Sequence, residues 1–256
     1  MFINNFDPVA LQLFSLEIRW YSLAYIFGLI FGWIYCRKTL IKDEILKKLF
    51  EDYITYIIIG IIGGGRLGYV FFYNFSYFLK NPIEIFMIWN GGMSFHGALM
   101  GIIIASYFFS KKNNKEIFIF LDLVAVTAPI GIFFGRIANF INGELIGKVT
   151  SSNWGVVFPN FDNNLRHPSQ LYEAFLEGII LFIIMNIFFF RKKNNVGTCS
   201  YMFLIFYGSF RIFSEFFREP DIHLGYLLGP ISMGMLLSTF MILAGIIIYF
   251  KKKNET

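Results

Sequence analysis

Long apolar runs separated by short, lysine-rich polar stretches organise this chain, and their lengths are the first constraint on its fold. About 20 mostly apolar residues are needed to cross a bilayer. Seven runs are candidates, roughly 20–36, 53–75, 93–110, 117–135, 170–190, 199–217 and 228–250. Helices are predicted, because a spanning helix satisfies its own backbone groups and the short alternating segments of a barrel are absent from the sequence. The expected fold is an all-α membrane protein of seven transmembrane helices, a single integral domain over 1–256, with its longest polar stretch at about 140–169. The opening MFINNFDPVALQLFSLEIRW carries no basic leader, and no small-residue cleavage site follows the first run, so that run is expected to remain as a span.

The polar stretches then set an orientation. Arg37, Lys38, Lys42, Lys47 and Lys48 follow the first run; Lys111, Lys112 and Lys115 the third; Arg191, Lys192 and Lys193 the fifth; and Lys251, Lys252 and Lys253 end the chain. The alternate side holds only Arg19, Lys80, Arg136, Lys148, Arg166 and Arg218, fewer than half as many. Because positive loops stay cytoplasmic, the N-terminus is expected outside (periplasmic) and the C-terminus in the cytoplasm. Composition agrees. Hydrophobic residues make up 56% and charged residues 15%, with mean hydropathy +0.60, against about 25% charged in soluble domains. The net charge of +5 and pI near 9.1 would suit nucleic acid if the bases formed one face, but they sit in clusters between apolar runs. Cys36 and Cys199 have no metal-ligand or CxxC spacing, so no metal site or disulfide framework is expected, and any cysteine chemistry would use a partner's thiol.

Ionisable groups inside apolar runs are costly and are expected to face the bundle interior. Arg66, in GGGRLGYVFFYN, lies about 20 Å from the inner end of its run, and Arg211 about 18 Å from the inner end of its own, at 1.5 Å per residue. His96, in GGMSFHGALMG between Ser94 and Gly97, and Arg136 are expected at the outer ends of theirs. Four such groups at one depth suggest an anionic ligand, and guanidinium forks match phosphate oxygens, so a phospholipid headgroup fits. The stretch GRIANFINGELIGKVTSSNWGVVFP adds Asn139, Asn142 and Glu144, with Gly143 and Gly147 for tight backbone geometry. In YGSFRIFSEFFREPD, Tyr207, Arg211 and Glu215 are spaced i, i+4, i+8 with Arg218 near the same face, so Glu215 is expected to pair with or orient Arg211. HPSQLYEAFLEG places Gln170 and Glu173 on one side of a starting helix, and leaves open whether His167 and its neighbours line the site or cap the helix. Asp122 is read as a structural carboxylate favouring a helix N-terminus. His223 is expected in an outer loop without a chemical role.

Taken together, GRIANFINGELIG resembles the signature of the prolipoprotein diacylglyceryl transferases, and GGGRLGYVFFYN, GGMSFHGALMG, HPSQLYE and YGSFRIFSEFFREPD resemble that family's other blocks in the same order. Ala98 and Ala138 stand where members often have glycine. The resemblance implies transfer of the diacylglyceryl group of phosphatidylglycerol to the lipobox cysteine of a prolipoprotein signal peptide, with release of glycerol phosphate, in the bacterial inner membrane and towards its periplasmic side. It implies membrane lipids as surroundings, no nucleic acid partner, and no metal or nucleotide cofactor. It also transfers importance to Tyr21 (in RWYSLAY), His96, Arg136, Asn139, Asn142, Glu144, Gly147, Tyr207, Arg211 and Glu215, and less definite roles to Arg66, Gln170 and Glu173. Residue chemistry suggests Arg136 and Arg211 for the phosphate and His96 as general base. The competing reading is a lipid or anion transporter or flippase. That reading calls for polar groups along a whole path and often an inverted repeat; here they gather in the outer half and no repeat is visible.

Overall fold

The computed structural model describes residues 2–14, 16–88, 91–191, 195–220 and 225–254, so Lys192, Lys193 and His223 lie outside the described residues. It is mostly helical and divides into two compact units, Arg37–Leu121 and Met1–Cys36 with Asp122–Thr256.

In the first unit, α2 (Glu44–Tyr73) and α4 (Phe95–Lys112) pack together, with the short α3 (Phe75–Lys80) and a 3-10 turn (Pro82–Phe86) between them in sequence. Polar caps fix where each long helix begins. Asp43 accepts from the amides of Ile45 and Leu46 at the start of α2, and Ser94 from the amide of Gly97 at the start of α4. Between helices in lipid there is little hydrophobic drive, and close approach favours their packing. Gly60, Gly64 and Gly68 recur every four residues on α2 and meet Gly97 and Gly101 of α4. A Cβ on Gly68 would fall 2.6 Å from the Gly97 Cα, and one on Gly64 2.8 Å from the Gly101 Cα. Further along, the Tyr53 hydroxyl meets Ser106 Oγ at 2.6 Å, a buried polar tie between the two helices.

The second unit contains α1 (Trp20–Tyr35), most of α5 (Ile117–Asn142), α8 (Thr198–Glu215) and α9 (Met233–Asn254). A continuous helical rod runs through α6 (Ser169–Glu173), a π-helical stretch (Ala174–Ile180) and α7 (Leu181–Phe190). The all-α expectation is amended by short strands. β1 (Phe2–Ile3) pairs parallel with β4 (Val156–Val157), which pairs antiparallel with β5 (Leu165–Arg166). β2 (Val9–Leu13) with β3 (Leu16–Arg19), and β6 (Tyr226–Leu228) with β7 (Ile231–Ser232), form two further antiparallel pairs. These strands are too short for periodicity to announce. They arise where polar connecting segments must satisfy their backbone groups outside helices. Val156 of β4 joins Phe140, Ile146 and Phe158 in a small core.

Asp122 is structural, though the helix it serves is α8 rather than its own. Its carboxylate accepts from the amides of Gly197 (2.7 Å) and Ser200 (2.8 Å) and from the Ser200 hydroxyl (2.6 Å), so α5 caps α8.

Among the described residues, four helices are long and apolar enough to cross a membrane: Glu44–Tyr73, Ile117–Asn142, Ser169–Phe190 and Met233–Asn254. Of the other expected spans, α1 has 16 residues, and α4 and α8 have 18 each with polar or charged ends. Only 17% to 33% of the apolar window in those four helices is buried by protein. Side chains such as Phe72, Ile59 and Ile247 point outward, which suits lipid and would be untenable as a continuous surface in water. The protein is a multi-pass membrane protein.

Candidate active site

Two carboxylates on one helical rod organise the polar interior of the second unit. Glu173 ends α6 and Glu177 lies one turn on, in the π-helical stretch; both are fully buried. Single π-turns recur at functional sites. The rod comes close to α5 because Gly178 has no side chain: a Cβ there would stand 3.0 Å from the Phe133 Cα. That approach sets both glutamates against Arg136 of α5 and Arg211 of α8.

The result is an alternating chain of charge. Arg136 donates from Nε (3.3 Å) and Nη2 (3.0 Å) to Glu177 Oε2, and its Nη1 is 2.9 Å from Glu173 Oε2. Arg211 donates from Nη1 to Glu173 Oε1 at 2.5 Å and from Nη2 to Glu215 Oε1. Arg218 donates to Glu215 Oε1 at 3.3 Å, and the Ser232 hydroxyl to Glu215 Oε2 at 2.7 Å. Three arginines thus alternate with three glutamates, all at least mostly buried. Such burial is tolerable only because each charge is matched. The expected Arg211–Glu215 pair is present. It is one link of a longer series that also holds Arg136.

Each guanidinium carries five N–H donors. The pairs above leave at least one N–H on each terminal nitrogen of Arg136, and Nε–H of Arg211, unspent among the described contacts. A fork that is already oriented and charge-balanced can take a phosphate without first being brought into place. Tyr207 is buried in the field of both arginines and both glutamates and stacks on Phe203 with centroids 5.5 Å apart. Arg211, Glu215, Arg218, Ser232 and Gly234 also edge a cavity of about 20 Å³, room for one water.

The polar stretch after α5 folds back on itself. Gly143 (φ +66°) and Leu145 (φ +54°) turn the chain through left-handed conformations. Glu144 thereby accepts from Asn139 Nδ2 (3.2 Å) and Asn142 Nδ2 (3.3 Å), and Gln170 Nε2 donates to its backbone carbonyl at 2.5 Å. Each Asn amide, expected to face phosphate, therefore spends one N–H on Glu144 and keeps the other. Gly147 lies in the tight backbone geometry expected of it. Its carbonyl accepts from Arg166 Nη1 at 2.9 Å, and a Cβ there would stand 2.8 Å from the His167 carbonyl carbon. Tyr21 meets Tyr25, hydroxyl to hydroxyl, at 3.3 Å, and Tyr25 feels the charges of Arg136 and Glu144.

In HPSQLYE no side chain caps the helix start, where Pro168 stands. Ser169 Oγ donates to the Leu145 carbonyl, Gln170 and Glu173 turn inward, and His167 Nδ1 meets the Tyr172 hydroxyl at 3.2 Å. Burial pushes the His167 imidazole below its ordinary pKa. Arg166 clasps both oxygens of Asp162, which its hydrogen bonds hold down at a pKa of about 2, and also reaches Glu219 at 3.1 Å.

In the other unit, Arg66 is the clearest correction. Nε donates to Ile85 O (2.9 Å), Nη1 to Gly91 O and Gly92 O, and Nη2 to Glu84 O (2.6 Å) and Met87 O (3.2 Å), with the Phe78 ring 5.1 Å away. Its five donors hold these five backbone carbonyls, which leaves none for a headgroup. His96 is the second residue of α4 and half-buried. Gly97 beside it packs against Gly64 and Gly68 of α2, which leaves no room there.

The family described as prolipoprotein diacylglyceryl transferase matches residues 8–251. The chain belongs to that family. Relatives named phosphatidylglycerol--prolipoprotein diacylglyceryl transferase include one from Rickettsia bellii (strain OSU 85-389), 49% identical over 256 residues covering 98% of this chain and 97% of the relative. One from Ehrlichia canis (strain Jake) is 52% identical over 96% and 95%. One from Oleidesulfovibrio alaskensis is 50% identical over 98% and 95%. For a family member, the additions that sequence reasoning missed are Glu177, Ser232 and Tyr25. Only Glu177 left a signal, as a second carboxylate four residues after Glu173 in an otherwise apolar run.

Proposed function

We propose that this chain transfers the diacylglyceryl group of phosphatidylglycerol to the lipobox cysteine thiol of prolipoproteins, forming a thioether and releasing glycerol phosphate. The observation that carries the reading is the pair Arg136 and Arg211, fixed by shared carboxylates with donors to spare. The sulfur–hydrogen bond of the acceptor, ordinary pKa about 8.5, must open first. The thiolate then forms a bond to the glycerol C3 carbon while the bond to the phosphate oxygen breaks, and the electron pair leaves on phosphate. Cations preorganised where that charge grows lower the barrier more than they stabilise bound lipid. Asn139, Asn142, Glu144, Tyr21, Tyr207 and Glu215 shape the headgroup site in this reading. His96 receives the thiol proton, a role that rests on its residue chemistry and its place in the family block.

Purified protein incubated with phosphatidylglycerol and a lipobox peptide is expected to yield a thioether-linked lipid product, and His96→Ala to lose most of it. No product from the unaltered chain sinks the enzymatic reading, and near-normal turnover by His96→Ala sinks the base role.

The same reading takes seven spans, with the N-terminus periplasmic, the C-terminus cytoplasmic and the site towards the outer face of the inner membrane. It is supported by lysines in the last turn of α4 (Lys111, Lys112) and of α9 (Lys251, Lys252, Lys253). Single-cysteine reporters are expected to react from outside at Lys80→Cys, and at Lys111→Cys only after the membrane is opened. The reverse pattern overturns the orientation.

A further inference from the structure

Glu177 is a fully buried carboxylate in a helix otherwise suited to lipid, and the chemistry above uses it only as background. It does more than neutralise. Its Oε2 takes two donors of Arg136, Nε and Nη2, along one side of the guanidinium. A group gripped along that side cannot rotate, so the direction of its remaining N–H groups is fixed by Glu177 together with Glu173. The second oxygen, Oε1, has no hydrogen-bond partner and stands 3.7 Å from Arg211 Nη1, so the same carboxylate also biases the second arginine. An acceptor buried with one oxygen unsatisfied is costly. Gly178 and the π-helical stretch around it hold Glu177 in that position.

We propose that Glu177 is a positioning residue for transfer, aligning the unspent fork of Arg136 with the departing phosphate; this rests on the functional reading above. Misplacement of a charge-stabilising group by about 1 Å costs on the order of 10²-fold in rate. The interaction is one the transition state uses more than bound lipid does, so the loss falls on kcat rather than on KM.

The test measures kcat and KM for phosphatidylglycerol with the lipobox peptide, per folded molecule, for the unaltered chain, Glu177→Gln, Glu177→Asp, Arg136→Lys and the double variant Arg136→Lys/Glu177→Gln. Glutamine keeps the shape and one acceptor, and aspartate keeps the charge but withdraws it by one methylene. Glu177→Gln is expected to lose about 10²-fold in kcat with KM changed less than about threefold, and Glu177→Asp about tenfold. In the Arg136→Lys background the glutamine change should cost less than about threefold more, because the group it aligns is gone. Glu177→Gln or Glu177→Asp turning over within twofold of the unaltered chain overturns the role. So does a full 10²-fold further loss in the Arg136→Lys background, which shows a purely structural effect. An unaltered chain that makes no thioether overturns the functional reading, and this proposal with it.

Discussion

Lysine in place of Arg136 is expected to cut thioether formation about 10³-fold, the scale on which a single arginine stabilises phosphoryl charge elsewhere. Both side chains carry one positive charge, so charge alone predicts little change. The difference is geometric. Arg136 reaches Glu177 from two nitrogens and Glu173 from a third, and still has N–H groups on its terminal nitrogens. An ammonium has three donors on one atom. Two buried carboxylates already claim it, and no fixed fork remains for a phosphate. Steady-state rates for Arg136→Lys at saturating phosphatidylglycerol decide the matter, and activity within tenfold of the unaltered chain would refute the fork argument.

Glu173→Ala should be the most destabilising change in the charge chain, by about 3–5 kcal/mol, because it leaves two buried cations short of a partner. Glu173 is fully buried and touches Arg136 at 2.9 Å and Arg211 at 2.5 Å. Glu219, which pairs with Arg166 at 3.1 Å, is the control. Its side chain is 42% exposed, and such pairs contribute about 0–1 kcal/mol. Thermal unfolding in detergent should separate the two by many degrees, since a stability of about 5–15 kcal/mol cannot absorb both losses equally. Equal midpoints for Glu173→Ala and Glu219→Ala would show that the network contributes little to the fold.

The different fates of Arg66 and Arg211 show how far residue patterns reach. Both are single arginines in apolar runs, at similar expected depth, and the sequence treats them alike. Arg211 has Glu215 one helical turn away, a partner that i, i+4 spacing makes visible, and the pair forms. Arg66 has no such neighbour. It is taken up by the carbonyls of Glu84, Ile85, Met87, Gly91 and Gly92, in and beyond a short 3-10 turn that leaves acceptors open to a side-chain donor. The same limit explains Gly147 and Gly97. Their lack of a side chain was legible, but what fills the space was not: a backbone carbonyl of His167 in one case and helix α2 in the other.

Run length and charge placement determined, from the sequence alone, that this chain lives in a membrane as a set of helices, since a bilayer imposes both on any chain that crosses it. The ordered blocks also singled out Arg136, Tyr207, Arg211 and Glu215. Periodicity tells which residues share a face, and it is silent on which helix that face meets. Tertiary packing alone decided that Glu173 and Glu177 stand between Arg136 and Arg211, because the pairing depends on the close approach at Gly178 and on the π-helical stretch. It likewise decided that Asp122 caps α8 and that Arg66 serves the backbone. Buried charge must find its complement across the fold, and the complement is chosen in three dimensions.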